Sequence, residues 1–185
     1  DALLDYAKEK HIPAIICTTA LPQETLTHLE EVSKSVAILK SANMSVGVNL
    51  LLELVQRAAV VLAQNGFDIE IVEKHHNQKI DAPSGTAMAL ADAMNQAMEE
   101  SYHYVFDRSQ KREKRDPAEI GIHAVRGGNI VGEHNVIFAG RDEVIEMTHR
   151  ATSREVFAVG AVAAAKFLAG KEAGLYSMRD VLQES

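Results

Sequence analysis

The residues with the clearest capacity for chemistry lie between positions 75 and 86. His75 and His76 are adjacent, and Lys79 follows in the same short segment. An imidazole titrates near neutral pH and an ammonium group carries a positive charge, so this grouping can both move protons and hold an anion. We therefore predict proton transfer to an anionic substrate, with a histidine as general acid and Lys79 as a second proton donor or an electrostatic clamp.

The same segment ends where a helix is expected to begin. Pro83 prevents a helix from running through the loop, and Ser84 is a good N-cap for the apolar run 87–94. The first amides of a helix have no acceptor within the helix, so those of Gly85 and Thr86 should favour a bound anion at the positive end of the helix dipole. With the hydroxyls of Ser84 and Thr86, they predict a cradle for a carboxylate or phosphate.

No metal site is predicted. Adjacent residues of an extended segment point to opposite sides, so His75 and His76 should have different roles and cannot form a zinc pair by themselves. No third ligand accompanies them in the sequence. The plain alternative is that one of the two histidines only packs or is solvated at a strand end, but its neighbours favour function.

The charge balance argues against nucleic-acid binding. The chain has 19 basic and 26 acidic side chains and a formal charge of −7, whereas phosphate affinity comes mainly from Lys and Arg. Residues 108–116 form the one dense basic cluster, and the acidic residues within it indicate a solvated loop. His123, His134 and His149 alternate with apolar residues and are interpreted as structural or interfacial.

The chain is expected to work in the cytoplasm. Cys17 is the only cysteine, which excludes an internal disulfide and suits a reducing compartment; at the end of an apolar strand it is expected to be a small buried side chain. No signal peptide is recognised, and the most hydrophobic run, 156–168, contains Lys166 and is too short to span a bilayer. No membrane association is predicted.

Periodicity predicts an α/β protein with two parts. Strands are expected at 12–19, 36–40, 67–72, 120–126, 132–138 and 143–150, and helices at 22–33, 46–64, 87–94 and 155–168. The helix 46–64 should place Val46, Leu50, Leu54, Val61 and Leu62 near one apolar face. Glycine-containing turns at 127–129 and 140–142 favour an antiparallel arrangement of the last three strands. The bare face of such a sheet is usually buried against another subunit.

Four segments resemble the 4-hydroxy-tetrahydrodipicolinate reductase (dihydrodipicolinate reductase) family. The longest is HHNQKIDAPSGT at 75–86, and the others are EIGIHAVRGGNIVGEH at 119–134, THRATSR at 148–154 and ANMSVGVN at 42–49. The resemblance implies an NADH- or NADPH-dependent reductase of lysine and diaminopimelate synthesis. Such an enzyme transfers a hydride to 4-hydroxy-tetrahydrodipicolinate, a small cyclic dicarboxylate, and gives tetrahydrodipicolinate and water.

The resemblance also implies roles for individual residues. His75 would donate a proton to the substrate ring, and Lys79 would be the second catalytic group. Substrate carboxylates would be held by His76, Ser84, Gly85 and Thr86. Apart from the resemblance, Arg126, Arg150 and Arg154 lie beside turns and could each reach a carboxylate; the alternative is that they form surface or interface pairs, and only Arg154 is retained as a candidate. Members of the family are tetramers, so a homotetramer through the sheet of the second domain is expected.

Cofactor contacts are expected after the first two strands. Loops at the carboxyl ends of parallel strands line the cofactor crevice in dinucleotide-binding folds. By resemblance, the residues on the nicotinamide side would be Cys17, Thr18, Thr19, Ser41, Ala42, Asn43 and Met44. Family members commonly have Gly where Cys17 and Ala20 stand, and an aromatic residue where Met44 stands. These departures are expected to reshape the nicotinamide contact without changing the class of reaction.

The glycine-rich turn that seats pyrophosphate in this family is not found in the sequence, which opens on a helical pattern. The expectation is a truncated chain that is inactive by itself and has lost roughly the first 70 to 85 residues, more than half of an ordinary nucleotide-binding domain. Residues 1–42 would be the second half of a Rossmann-like domain. Residues 43–154 would be an α+β domain for substrate binding and oligomerisation, with an open, largely antiparallel or mixed sheet covered by helices on one face. Residues 155–185 would return to the nucleotide-binding domain. The alternative is a non-catalytic carboxylate-binding or scaffold module of the same fold.

Overall fold

The computed structural model describes residues 1–19, 21–99 and 101–184, so Ala20 lies outside the described residues. Its helices are α1 (Ala2–Lys10), α2 (Gln23–Ser33), α3 (Val46–Gln64), α4 (Gly85–Ala97), α5 (Glu155–Leu168) and α6 (Met178–Gln183). Its strands are β1 (Ala14–Ile16), β2 (Ala37–Lys40), β3 (Asp68–His75), β4 (His103–Val105), β5 (Glu119–Arg126), β6 (Gly132–Ala139), β7 (Val144–Ala151) and β8 (Gly174–Tyr176). The chain forms two compact units, one of Asp1–Leu50 with Glu155–Ser185 and one of Leu51–Arg154.

The first unit contains a three-stranded parallel sheet in the order β1-β2-β8. Successive side chains of a strand point to opposite faces, and the central strand β2 is apolar on both. Ile38 packs with Leu4, Leu29 and Val32 of α1 and α2, whereas Leu39 packs with Ala164 and Leu168 of α5. This arrangement confirms the Rossmann-like part of the predicted fold.

Helix α5 approaches the segment after β2 very closely. A Cβ atom on Gly160 would lie 1.7 Å from the carbonyl oxygen of Met44, so only glycine allows this approach. The side chain of Met44 is itself buried in the core of the first unit.

The second unit contains a five-stranded mixed sheet in the order β4-β5-β3-β6-β7. Strand β3 pairs in parallel with β5 and antiparallel with β6. The expected antiparallel neighbours β5 and β6 are therefore separated by β3. Local turn signals cannot reveal this insertion, because strand pairing is decided by burial: the inner-face residues Ile69 and Ile71 are fully buried, which suits a central strand.

One face of this sheet is covered by α3 and α4. The core between them is made of Ile69, Ile71, Ile120, Ile122, Val136 and Phe138 from the sheet and Leu51, Val55, Ala59, Leu90 and Met94 from the helices. The opposite face carries exposed apolar side chains, among them Val125 and Val144. The open α+β sheet covered on one face was predicted correctly.

The apolar face expected for α3 was wrong. Val46, Leu50, Leu54 and Val61 are exposed, and the buried residues are Val48, Leu51, Val55 and Ala59. Apolar residues occur on nearly every side of this helix, so their spacing does not select the face that packs. By length and composition α3 is also apolar enough to cross a membrane, a property that was not expected from the sequence, where only the shorter run 156–168 was considered. The core helix of a soluble protein can have the same length and composition, and α3 packs Leu51, Val55 and Ala59 against the sheet.

The basic loop 108–116 was expected to be solvated, but two of its arginines form ion pairs with residues of the sheet. Arg108 pairs with the buried carboxylate of Glu119. Arg115 binds Asp68 and Glu70 and donates to the carbonyl oxygens of Ile69 and Glu119. These two arginines attach the loop to the strands beside it. The short elements β4, β8 and α6 were not predicted.

Candidate active site

The site begins as a continuation of the buried row on β3. Alternation along the strand places Ile69, Ile71, Glu73 and His75 on its inner face, and all four are buried. The first two belong to the apolar core, whereas Glu73 and His75 place a carboxylate and an imidazole at the end of the same row. His76 was predicted to point to the opposite side from His75. It follows the end of the strand and is half-buried, whereas His75 is buried.

Glu73 is the most highly connected polar side chain of the site. It has no solvent exposure, and its Oε2 lies 2.6 Å from Nδ1 of His75. Arg126 donates to it through two nitrogens, at 2.8 and 2.7 Å, and the amide of Ser84 donates to Oε1 at 3.0 Å. Burial opposes ionisation of Glu73, but hydrogen bonds from Arg126, His75 and Ser84 outweigh it and hold its pKa below the ordinary value.

A second buried histidine lies beside the first. His134 is opposite Glu73 across the β3–β6 pair, and its ring meets that of His75 edge to face at 5.2 Å. Burial, with the charges of His75 and Lys79, lowers the pKa of His134 to about 4. His134 is therefore neutral at pH 7. The interpretation of His134 as structural or interfacial did not place it in this cluster.

Ser84 is the N-cap of α4, as predicted, and is only 2% exposed. Its hydroxyl accepts from the amide of Ala87 at 3.2 Å and lies 2.9 Å from Nε2 of His134. Its amide is bonded to Glu73. The carboxylate-binding role expected for Ser84 does not fit these contacts, because both its hydroxyl and its amide are buried and bonded within the protein.

Lys79 joins the cluster to the start of α4. Its ammonium lies 2.8 Å from the carboxylate of Asp81. The hydrogen bond from Lys79 is the largest cause of a lowered pKa at Asp81, and the backbone of Gly85 also contributes. Gly85 is exposed, and Thr86 is half-buried and already takes part in an interaction within the protein. A carboxylate of the chain itself thus lies at the predicted anion cradle.

A hollow of about 330 Å³ adjoins the loop that follows β3. Its lining residues are His76, Asn77, Gln78, Gly128, Asn129, Val131 and Arg154. One guanidinium nitrogen of Arg154 lies 3.4 Å from Nε2 of His76. Arg154 therefore lies beside His76, a predicted substrate-binding residue. Arg126 forms an ion pair with Glu73, and Arg150 forms one with Glu133.

The loop between β5 and β6 crosses the end of β3. The amide of Gly127 donates to the carbonyl of His75 at 2.9 Å, and the amide of Asn77 donates to the carbonyl of Gly128 at 3.2 Å. These two bonds fix the backbone on both sides of His76. The insertion of β3 between β5 and β6 is what brings this loop to the site.

The predicted cofactor residues lie in two loops of the first unit, after β1 and β2. Cys17, Thr18, Thr19 and Ala42 are exposed, and the amide of Ser41 donates to the carbonyl of Ile16, which ties the loops together. Asn43 holds its own loop by accepting from the amide of Ser45. Exposed polar loops at the carboxyl ends of parallel strands fit a nicotinamide nucleotide.

Two of these predictions need correction. Cys17 is exposed, contrary to the expected buried side chain, because β1 ends at Ile16 and the chain leaves the sheet there. Met44 points into the core of the first unit, so only its backbone remains for a ligand.

Glu73, His134 and Asp81 also belong to the site, and none of them was predicted from the sequence as a site residue. A usable signal existed for Glu73: the alternation of Ile69, Ile71, Glu73 and His75 puts a carboxylate in an apolar row, and a buried carboxylate needs partners. His134 could be placed only with the β3–β6 register, which is a long-range property. Among the described residues, no group of three or more His, Cys, Asp or Glu side chains is arranged to hold a metal.

Two family models match this chain. Residues 47–182 match the model described as dihydrodipicolinate reductase, C-terminus, and residues 1–44 match the model described as dihydrodipicolinate reductase, N-terminus. Together they account for both units of the fold.

Curated relatives and a solved structure agree with these matches. The chain is 58% identical to the 4-hydroxy-tetrahydrodipicolinate reductase of Caldanaerobacter subterraneus, with 98% of this chain and 72% of the relative covered. It is 50% identical to the enzyme of the same name from Clostridium novyi, with coverages of 99% and 72%. The fold is similar to that of the dipicolinate-bound dihydrodipicolinate reductase of Paenisporosarcina, with a TM-score of 0.76, 22% identity, and coverage of 97% of this chain and 68% of that one. The chain belongs to the dihydrodipicolinate reductase family.

Proposed function

We propose that this protein reduces 4-hydroxy-tetrahydrodipicolinate with NADH or NADPH and releases tetrahydrodipicolinate and water, a step of lysine and diaminopimelate synthesis. The observation that carries this proposal is the buried Glu73–His75 pair, with Lys79 close enough to act on the same cluster. Relatives of the same name support the reaction class.

His75 is proposed as the proton donor to the substrate ring. Its Nδ1 is directed at Glu73, which leaves Nε2 as the nitrogen that can meet a ligand. Nε2 lies close to Gly132, where an added Cβ atom would be 3.1 Å from it and would crowd the ring. A bound nicotinamide would supply the hydride, and the chain contributes the proton and the groups that hold the substrate.

The substrate is proposed to be a small dicarboxylate. Lys79, His76, Arg154, Gly85 and Thr86 supply cations and backbone donors of the kind that bind carboxylates. Dipicolinate, the ligand bound to the structural neighbour, is a dicarboxylate of this kind. Because Asp81 now lies against Lys79, an incoming carboxylate would have to replace it.

The cofactor is proposed to contact Cys17, Thr18, Thr19, Ser41, Ala42 and Asn43 through the two loops of the first unit. Of Met44, we include only the backbone. The choice between NADH and NADPH is not assigned to a residue of this chain.

A homotetramer in the cytoplasm is proposed as the assembled state. The sheet of the second unit has an outer face that carries exposed Val125 and Val144, and burying this face against another copy would remove apolar surface from water. Sedimentation of the purified chain tests the assembly, with a monomer at micromolar concentration as the contrary result.

The alternative scaffold function is not favoured. A scaffold has no need of an ionised, fully buried glutamate that holds a histidine, because burying charge is costly. Both family models and the curated relatives are reductases by description.

Two measurements test the function. Titration with pyridine-2,6-dicarboxylate, followed by backbone NMR, should shift the amide signals of Gly85 and Thr86 together with those of the loop around His76. Oxidation of NADH or NADPH in the presence of the substrate tests turnover in a chain with a complete nucleotide-binding domain. Shifts confined to other regions would reject the site, and binding without turnover by that longer chain under saturating cofactor would favour the scaffold.

A further inference from the structure

Glu73 takes part in more hydrogen bonds than its ion pair with Arg126 alone would provide. The carboxylate of Glu73 accepts hydrogen bonds from three elements. The donors are His75 of β3, Arg126 of β5 and the backbone amide of Ser84 at the start of α4. Glu73 is fully buried, and Arg126 is bound through two parallel hydrogen bonds. Such a fork fixes the position of both partners.

The direction of the bond to His75 determines which ring nitrogen is available. An ionised carboxylate can only accept, so Nδ1 of His75 must carry the hydrogen in its bond to Glu73. Nε2 then lies on the other side of the ring, next to Gly132, whose missing side chain leaves this nitrogen uncrowded. The opposite tautomer would break the bond to Glu73.

We propose that Glu73 is a positioning residue for this active site, which fixes the His75 ring with Nδ1–H toward itself and Nε2 toward the ligand, and that Arg126 holds the carboxylate of Glu73 in place for that bond. This inference rests on the proposed role of His75. In the reaction, the proton leaves Nε2 of the imidazolium for the substrate carbon, and the neutral ring keeps Nδ1–H on Glu73. Solvent returns the proton to Nε2 for the next turnover, and Glu73 stays ionised.

Two variants test the two parts of this arrangement. Removing the carboxylate takes away the acceptor that selects Nδ1–H, and removing the guanidinium takes away the two bonds that fix the carboxylate. His134, whose ring meets that of His75, is neutral at pH 7.

The experiment reads the ring nitrogens of His75 directly, by NMR of the 185-residue chain with isotope-labelled histidine. A His75→Gln sample assigns the signals. Wild-type protein should show the Nδ1–H form once the ring is neutral. Glu73→Gln should lose this preference, because an amide can both donate to and accept from the ring, and Arg126→Met should weaken it, because the carboxylate is no longer held by two bonds.

Glu70→Gln is the matched control. Glu70 lies on the same strand but on the opposite face, and it too binds a histidine and an arginine: His123 at 2.8 Å and Arg115 at 2.9 Å. This variant should change the signals of His123 and leave those of His75 in place. A purely structural role for Glu73 would make its variant resemble this control.

Three results would overturn the proposal. One is an Nε2–H form of neutral His75 in the wild-type protein, a result that needs no variant to fold. Another is a full wild-type preference for Nδ1–H in a folded Glu73→Gln or Arg126→Met variant. The third is an equal effect of Glu70→Gln on His75. These signals need no substrate, so they are judged separately from dicarboxylate binding, which tests the function.

Discussion

At the scale of single residues, the site is a set of charges that balance one another. Glu73 with Arg126 forms one neutral pair, and Lys79 with Asp81 forms another. His75 touches the first pair, and the charge of Lys79 reaches the buried cluster through its effect on His134. The effect of a substitution therefore depends on which pair loses a member.

In a chain with a complete nucleotide-binding domain, replacing His75 with Gln should lower turnover by roughly two to four orders of magnitude, because glutamine cannot donate a proton to the substrate. Steady-state kinetics measures the change, and circular dichroism checks that the fold is retained. His103→Gln, in an exposed position on β4, is the control and should behave as wild type. Wild-type turnover in the His75 variant would remove this residue from the mechanism.

Replacing Asp81 with Asn should tighten the binding of pyridine-2,6-dicarboxylate. Asp81 competes for Lys79, and since its side chain is exposed, an ion pair of this kind contributes at most about 1 kcal/mol, or roughly fivefold in affinity. Isothermal titration calorimetry measures the change.

Asp142→Asn, in an exposed turn, controls for the loss of one negative charge and should have a smaller effect. Weaker binding in the Asp81 variant would show that Asp81 helps to form the site and does not compete for it.

At the scale of elements, the site depends on where β3 ends and α4 begins. Ser84 connects the two, since its hydroxyl caps α4 and its amide is held by Glu73. Local signals were sufficient to predict this cap, the bounds of α3 and α5, and the turn between β6 and β7. They could not predict that β3 lies between β5 and β6, because no turn joins the strands that pair there.

Replacing Ser84 with Ala should destabilise the protein by about 1 to 3 kcal/mol, since α4 loses its cap and Nε2 of His134 loses its partner. The affinity for a dicarboxylate should stay within about twofold of wild type if positioning of Gly85 is retained. Urea unfolding and calorimetry measure the two quantities.

Ser177→Ala removes a cap from the short helix α6 of the first unit and is the matched control. It should give a smaller loss of stability, because Ser177 has no buried histidine as a partner. If the Ser84 variant had normal stability but lost affinity for the dicarboxylate, its hydroxyl would be a substrate-binding group after all.

At the scale of the whole molecule, buried ionisable groups link stability to pH. The pKa of His134 is about 4 in the folded protein and about 6.5 when unfolded. The unfolded chain therefore binds more protons between these values, so stability rises with pH across the window and is lost as pH falls from about 6.5 toward 4. The full shift corresponds to about 3 kcal/mol.

His134→Gln should flatten this dependence between pH 6.5 and 5, measured as the free energy of unfolding in urea at each pH. Glu73, His75, His149 and Lys79 also act on His134, and the chosen window lies above the range in which the carboxylates take up protons. His103→Gln should keep the wild-type slope. An unchanged slope in the His134 variant would mean that other groups cause the dependence.

The central position of β3 determines which parts of the site can move. From Ile69 to Lys74 this strand is paired on both edges, so its amides should exchange with solvent only when the whole unit unfolds. The loop 76–83 lacks such pairing and is held at separate points, by Gly128 near its start, by a bond from Arg126 to the carbonyl of Asp81, and by Ser84 at its end. We expect any movement that admits a ligand to fall on this loop, because His75 itself lies on the paired strand.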